Sequence, residues 1–395
     1  MKKIDKTHRQ NPSQIRKPVF YDEFICTAGE CPFTCCQEWH IGVDPKTVRK
    51  WACMPDLRKG IAKDRGQTVM ALRQDRKCIF LNAQGLCGVQ RRLGEQMIPE
   101  TCRVFPRETH DFGSVKETSL MPACPAVLDI LRAFGEKKKN GKLVHFAELF
   151  PPCGDDRFAI RNFFIELLDE QDHTLNEKLL AIFFIMKEIL EAEGSGGDPM
   201  ERFRDASSTG TRTAFFSSLD AMTFHIADTL WERNELLLDL ADNYRKEGLY
   251  QNRLEPLAEL AEQFEEADSE EEEQKNLKLL GAFQEEMKQW DPFFTLLLSE
   301  EFFADLLLPD GTLTEMAQHL EWIGMIYAAI RHSLYLIFRK RAGSDRRLTY
   351  EEMRDIIVLI FRMTGYEEAD LQEYLENSFE SSIWDWGYFA LIIGR

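Results

Sequence analysis

Eight cysteines within about one hundred residues are the side chains of this 395-residue chain best suited to chemistry: Cys26, Cys31, Cys35, Cys36, Cys78, Cys87, Cys102 and Cys124. The first four follow a C-x4-C-x3-C-C spacing, which sets four soft sulfur donors inside eleven positions. The other four stand on later segments that a fold can return to the same point. This is the layout of a thiolate metal site or an iron–sulfur site. Disulfide pairing is permitted by the even total of ten cysteines but opposed by the expected compartment. The opening residues Met1 to Gln10 carry charge and lack the apolar core of a signal peptide, so the chain is expected in the reducing cytoplasm. Cys53 and Cys153 fall outside the pattern and read as plain core cysteines.

Zinc and iron–sulfur compete for these ligands. Structural zinc sites commonly repeat tight C-x2–4-C pairs at a second place, whereas here that spacing occurs only within the run from Cys26 to Cys36 and Cys78 and Cys87 stand nine apart. A cluster of the 4Fe–4S type tolerates irregular spacing because its irons spread the ligand positions over a larger object. It is therefore favoured, with zinc as the alternative. The C-x3-C-x2-C pattern of radical-forming clusters does not occur, since Cys36 follows Cys35 directly. The glycine cluster Gly194 to Gly197 lies between two helical patterns and reads as a linker, not as a dinucleotide-binding turn. The eight histidines are scattered without a nucleophile partner and read as structural.

The elements that must position the cysteines divide into two kinds. Residues 1–153 mix short pieces and loops: Tyr21 to Phe24 and Trp39 to Val43 read as extended, Asp44-Pro45 caps a helix to about Ala52, and Gly85 to Cys87 reads as a turn. A short helix is expected around Arg91 to Met97 and another from Pro125 to Phe134. The lysine run Lys137 to Lys139 and the Pro151-Pro152-Cys153-Gly154 punctuation then mark a boundary. Residues 154–395 read as helical almost throughout. Capping boxes open helices at Thr174 and Thr349, Asp198-Pro199 starts a third, and Leu219 to Tyr244 and Leu254 to Phe264 continue the apolar spacing. Trp322 to Phe338 reads as a buried helix, not a membrane span, because Arg331 and His332 interrupt it. The expected fold is mainly α: an N-terminal cysteine-rich, cluster-binding domain with short helices and loops, followed by an all-α acidic domain.

Charge separates the same two parts. Residues 1–153 hold 26 Lys and Arg against 17 Asp and Glu, a balance of +9, and residues 154–395 carry −27. The basic part lacks the interleaved aromatic and glycine pattern of RNA-binding sheets, so nucleic acid is not an expected partner. The acidic part, with the run Glu270 to Glu273, can steer a lysine-rich partner or simply present a solvated face.

The segments Lys17 to Cys26, Cys31 to Trp39, Cys78 to Leu81, Gly85 to Gln90, Leu93 to Glu95, Thr101 to Arg107 and Cys124-Pro125 together resemble the flagellin lysine-N-methylase family, within the broader zinc- or iron-chelating cysteine-cluster proteins. The resemblance covers about the first 130 residues in order; the helical remainder is similar only in length and character. It implies S-adenosylmethionine-dependent methylation of lysine side chains on flagellin, assisted by an iron–sulfur cluster. Methyl transfer to an amine needs a neutral, aligned lysine in a desolvated, aromatic-lined slot with a proton acceptor. Tyr21, Asp22, Glu23 and Trp39 flank the first cysteines and are the candidates for that slot. Arg103 and Arg107 are candidates to pair with the carboxylate of the methyl donor or to offset the cluster's charge. Residues alone leave open a non-enzymatic metal-binding or redox-responsive module and an iron–sulfur oxidoreductase.

Overall fold

The computed structural model describes residues 14–64, 66–136, 155–222, 226–264, 269–343, 347–364, 371 and 385–394. The boundary expected at 151–154, the lysine run, Cys153 and the first ten residues lie outside them.

The cysteine-rich part is built on short elements. Strands β1 (Gln14–Arg16), β4 (Arg107–Asp111) and β5 (Val115–Leu120) form a three-stranded sheet in the order β1-β5-β4, with β1 parallel and β4 antiparallel to β5. Strands β2 (Ile61–Asp64) and β3 (Gln67–Met70) make a separate hairpin. The expectation of helices and loops thus missed a small sheet, because strands of three to six residues are too short for alternation to register. Tyr21 to Phe24 is also not extended: Tyr21–Glu23 is one 3-10 turn, closed by the Phe24 N–H donating to the Tyr21 carbonyl. Helix α1 (Pro45–Trp51) starts where expected, with the Asp44 carboxylate accepting from the Thr47 N–H and proline in the first turn. Helices α2 (Pro55–Arg58), α3 (Gly88–Leu93) and α4 (Glu100–Val104) follow. The expected helix at Arg91 to Met97 is divided by Gly94, whose φ of 86° ends α3 before a 3-10 turn at Glu95–Met97. Helix α5 (Pro125–Glu136) runs close to its expected span.

The second part is helical: α6 (Asp156–Asp169), α7 (Leu175–Gly194), α8 (Pro199–Ser207), α9 (Thr209–Ala221), α10 (Ile226–Glu247), α11 (Gln251–Glu262), α12 (Glu270–Met287), α13 (Asp291–Asp305), α14 (Leu313–Lys340), α15 (Tyr350–Met363) and α16 (Trp386–Ile393). Thr174 with Glu177 and Thr349 with Glu352 form the two expected capping boxes, and Thr312 with Glu315 forms a third. The pattern read as one helix from Leu219 to Tyr244 is two, because Met222 is extended and its N–H turns back to the Leu219 carbonyl. Apolar periodicity does not record such a change of direction. Glu270 to Glu273 are the exposed first turn of α12, where four carboxylates complement the positive end of the helix dipole.

Helices α13 and α14 sit at the centre and are buried along nearly their whole length, which is why neither shows a sharp apolar stripe. Among the described residues no helix is long and apolar enough to cross a membrane. One continuous core joins the two parts: Phe20, Phe33, Leu120, Val127 and Leu131 pack in the same cluster as Phe164, Leu297, Phe302 and Ile360. A smaller core of Ile41, Trp51, Met70, Phe80, Leu81 and Val89 lies beneath the cysteine loops.

Candidate metal centre

All eight patterned cysteines line one cavity of about 380 Å³. Each arrives on a different local device. Cys26 and Cys31 bracket the 3-10 turn Ala28–Glu30, with the Cys26 sulfur accepting from the Ala28 N–H. Cys36 and Cys78 are joined through the backbone, the Cys78 N–H donating to the Cys36 carbonyl at 2.8 Å. Cys87 caps α3, its sulfur facing the Gln90 N–H. Cys102 rides on α4, and Cys124 stands just before α5, near the N–H groups of Ala126 and Val127. The N–H groups of Ala126 and Val127 favour the Cys124 thiolate, the ligating form, against the larger effect of burial.

Two glycines let the loops close. Gly85 has a φ of 71°, and a Cβ on it would lie 3.1 Å from the Gly29 Cα. A Cβ on Gly29 would lie 2.4 Å from the Gln84 carbonyl oxygen. Side chains there would hold apart the loops that carry Cys26 and Cys31 and those that carry Cys78 and Cys87.

The thiols influence one another in two neighbourhoods. Burial, then the charges of Cys36, Cys78 and Cys87, push the Cys102 thiol up; burial, with Cys36 and Cys87, pushes Cys78 to about 11. Cys124 is likewise raised to about 11, mainly by burial, with Cys31 adding to it. A hydrogen bond between the adjacent thiols joins the two groups. It raises Cys35, which is also buried, and lowers Cys36 to about 7. The donor set suits a soft metal centre, for such mutual repulsion is what bound metal relieves. Among the described residues no three of the sulfurs lie within 4.8 Å of one another.

Of the other sequence candidates, Trp39 lines the cavity, donates its indole N–H to the Cys35 carbonyl and packs against Phe105 with ring centroids 5.1 Å apart. Arg103 and Arg107 line it too, Arg103 paired with Glu100 at 3.0 Å and Arg107 lying over the Phe24 ring. Tyr21, Asp22 and Glu23 do not border it: Asp22 pairs with Lys17 at 2.5 Å, and Tyr21 lies between Lys17 and Arg107. Phe33 in the cysteine loop, Trp51 at the end of α1 and Phe105 just past α4 add aromatic walls that spacing did not single out. Cys53 is exposed, contrary to its reading as a core cysteine, because it sits past the end of α1 in a turn.

Arg362 is the residue that sequence reading missed. It stands on α15, lines the cavity, and donates to the carbonyls of Phe33, Thr34 and Ala123 at 2.7, 3.0 and 3.0 Å. Its charge favours the thiolates of Cys35, Cys36 and Cys124.

Residues 161–392, which include α15 and Arg362, match the FliB lysine N-methylase C-terminal domain. The chain belongs to that family. Flagellar biosynthetic protein FliU of Salmonella muenchen is 30% identical over 144 residues, which is 31% of this chain and 83% of that protein. Lysine-N-methylase of Salmonella typhimurium is 26% identical over 193 residues, 44% of this chain and 47% of that protein, and that of Salmonella choleraesuis gives the same figures. The match thus spans about half the length of these lysine-N-methylases. No solved structure matches the chain. The eight thiols precede the FliB-family segment, so their grouping rests on their own geometry, while that segment supplies the cavity's Arg362.

Proposed function

We propose that this chain is an S-adenosylmethionine-dependent lysine N-methyltransferase acting on flagellin, with a 4Fe–4S cluster held by its N-terminal thiols. The observation that carries the reading is that a chain of this family turns all eight patterned thiols, four arginines and a set of aromatic rings onto one cavity. The names of its relatives, lysine-N-methylase and flagellar biosynthetic protein, support the lysine acceptor and the flagellar substrate.

The spread of the sulfurs favours a cluster over zinc. Zinc–sulfur bonds of about 2.3 Å place tetrahedral thiolates roughly 3.8 Å apart, closer than any three of these sulfurs stand among the described residues. We assign the cluster to Cys36, Cys78, Cys87 and Cys102, whose charges act on one another; Cys35 and Cys124 lie beside Arg362, and Cys26 and Cys31 complete the lining. When bound, the cluster supplies iron with Lewis acidity and a covalent cross-link between three segments.

The chain's own residues do the positioning. Methyl transfer breaks the donor's methyl–sulfur bond, forms a carbon–nitrogen bond and releases the amine proton, so the lysine must be neutral when it attacks. Trp39, Phe33 and Phe105 offer ring faces to a sulfonium, and Arg103 and Arg107 offer forked donors to the methyl donor's carboxylate. The test is transfer of labelled methyl groups from S-adenosylmethionine to purified flagellin by anaerobically prepared chain, with methyl-lysine identified after hydrolysis. Labelled methyl-lysine is the expected product. A cluster-loaded chain that yields none would exclude the activity, and stoichiometric zinc without sulfide would exclude the cluster.

A further inference from the structure

A second cavity, of about 340 Å³, has among its described lining residues no cysteine and no basic side chain other than histidine. Glu108 and His110 enter it from β4, Glu301 and Asp305 from α13, and His319 from α14. The spacings explain the convergence. Residues two apart on a strand share a face, and residues four apart on a helix share a face, so β4 and α13 each deliver a pair of donors. One ligand atom each from Glu108, His110 and Asp305 lies within 4.8 Å of the other two. His110 Nε2 is 3.7 Å from a Glu108 carboxylate oxygen.

The buried donors here lack partners. Among the described residues, His110 Nε2, His319 Nε2 and one carboxylate oxygen of Glu301 are buried without a hydrogen bond, and Glu301 as a whole is 4% exposed. A buried polar atom without a partner costs about 1–3 kcal/mol, and three in one cavity is more than packing alone accounts for. Among the described residues no Lys or Arg lines the cavity to offset the three carboxyls.

We propose that this cavity is a second metal site, binding a divalent cation of the manganese or iron(II) type through Glu108, His110 and Asp305, with Glu301 and His319 completing the shell. The donor set is hard oxygen with imidazole nitrogen, unlike the soft sulfur set of the thiol cavity, so the two sites select different metals. Sequence reading passed over His110 and His319 as isolated structural histidines. The fold brings them to carboxylates on other elements.

Manganese(II) is the probe, because thiolates bind it poorly and its free ion gives a sharp electron paramagnetic resonance signal that is lost on binding. Full-length, anaerobically prepared chain would be titrated with manganese(II) in excess magnesium and moderate salt. One manganese bound per chain is expected. Asp305→Asn and His110→Gln should weaken it by at least about tenfold, the loss that even an outer-shell partner produces. Glu108→Gln, at a position 35% exposed, gives the same reading without disturbing the core. Neutralising Glu270 to Glu273 to glutamine, in the exposed first turn of α12, should leave binding unchanged. No binding above the magnesium background, equal binding by Glu108→Gln and the unaltered chain, or loss confined to the Glu270 to Glu273 variant would each overturn the site.

Discussion

The Arg362 guanidinium lies 4.4 Å from the centre of the Phe33 ring and donates to the Phe33 carbonyl at 2.7 Å, so a helix of the FliB-family segment fastens the loop that presents Cys35 and Cys36. The same group also holds the Thr34 and Ala123 carbonyls, which flank Cys35 and Cys124. Hydrogen bonds from charged groups contribute about 1.5–3 kcal/mol each. Because the three share one side chain, Arg362→Ala should cost about 3 kcal/mol in denaturant unfolding and lower iron content on anaerobic purification. Arg362→Lys keeps the charge and loses the fork, so it should recover little of either. Full iron loading in Arg362→Ala would separate the cluster from this fastening.

A second link between the parts is ionic. Arg161 on α6 is fully buried and reaches both carboxylate oxygens of Glu117 on β5, at 2.5 and 2.9 Å, while Arg16 on β1 lies 3.7 Å from the same carboxylate. Removing one partner strands a buried charge, so Glu117→Gln should destabilise by about 3–5 kcal/mol. The double variant Glu117→Gln with Arg161→Met should recover part of that loss. A double-mutant cycle by urea unfolding measures it, and additive costs would show that the pair is not coupled.

Helix starts and the thiol constellation were legible because each depends on neighbours in sequence: Asp44 with Thr47, Thr174 with Glu177, and the run from Cys26 to Cys36. The sheet was not, since β1 pairs with β5 and Gln14 meets Val115 only after the chain has returned. Arg362 was invisible for the same reason, standing 239 residues along the chain from the Ala123 carbonyl it holds. Trp39, adjacent to the cysteines, lines their cavity, whereas Tyr21 and Asp22, equally adjacent, turn aside in a 3-10 turn that their composition does not announce.

His332 should make the helical part acid-sensitive. It is buried on α14, its Nε2 is 3.1 Å from the Asn234 side-chain oxygen, and burial, then the Arg233 and Arg339 charges, lower its pKa to about 3. The folded value lies below the unfolded value of about 6.5. The folded state therefore binds fewer protons, and stability present above pH 6.5 is lost as pH falls toward 3. At pH 5 the loss is about 2 kcal/mol relative to neutral pH. His332→Gln, which can still donate to Asn234, should flatten urea midpoints across this range; an unchanged slope would remove His332 as the cause.

The last prediction concerns how the two parts share the work. On the function proposed above, charge and cysteine placement predict that residues 1–153 hold the cofactor and that the acidic residues 154–395 recruit a lysine-bearing partner. The packing adds a condition, because Phe20, Phe33, Leu120, Val127, Leu128 and Leu131 are buried in a core shared with the helices. Exposing six such side chains costs on the order of 10 kcal/mol, comparable with the whole stability of a domain. A chain ending at Gly154 should therefore lose its iron as well as its hold on flagellin. In the intact chain, flagellin binding should weaken as salt approaches a few tenths molar, where screening reaches only several ångströms. Glu270 to Glu273 should be neutralised, not reversed, in testing recruitment, since lysines there would oppose the α12 dipole and unravel its first turn. A short chain that keeps both iron and methyl transfer would confine the chemistry to the first part, and salt-independent flagellin binding would remove the acidic surface from recognition.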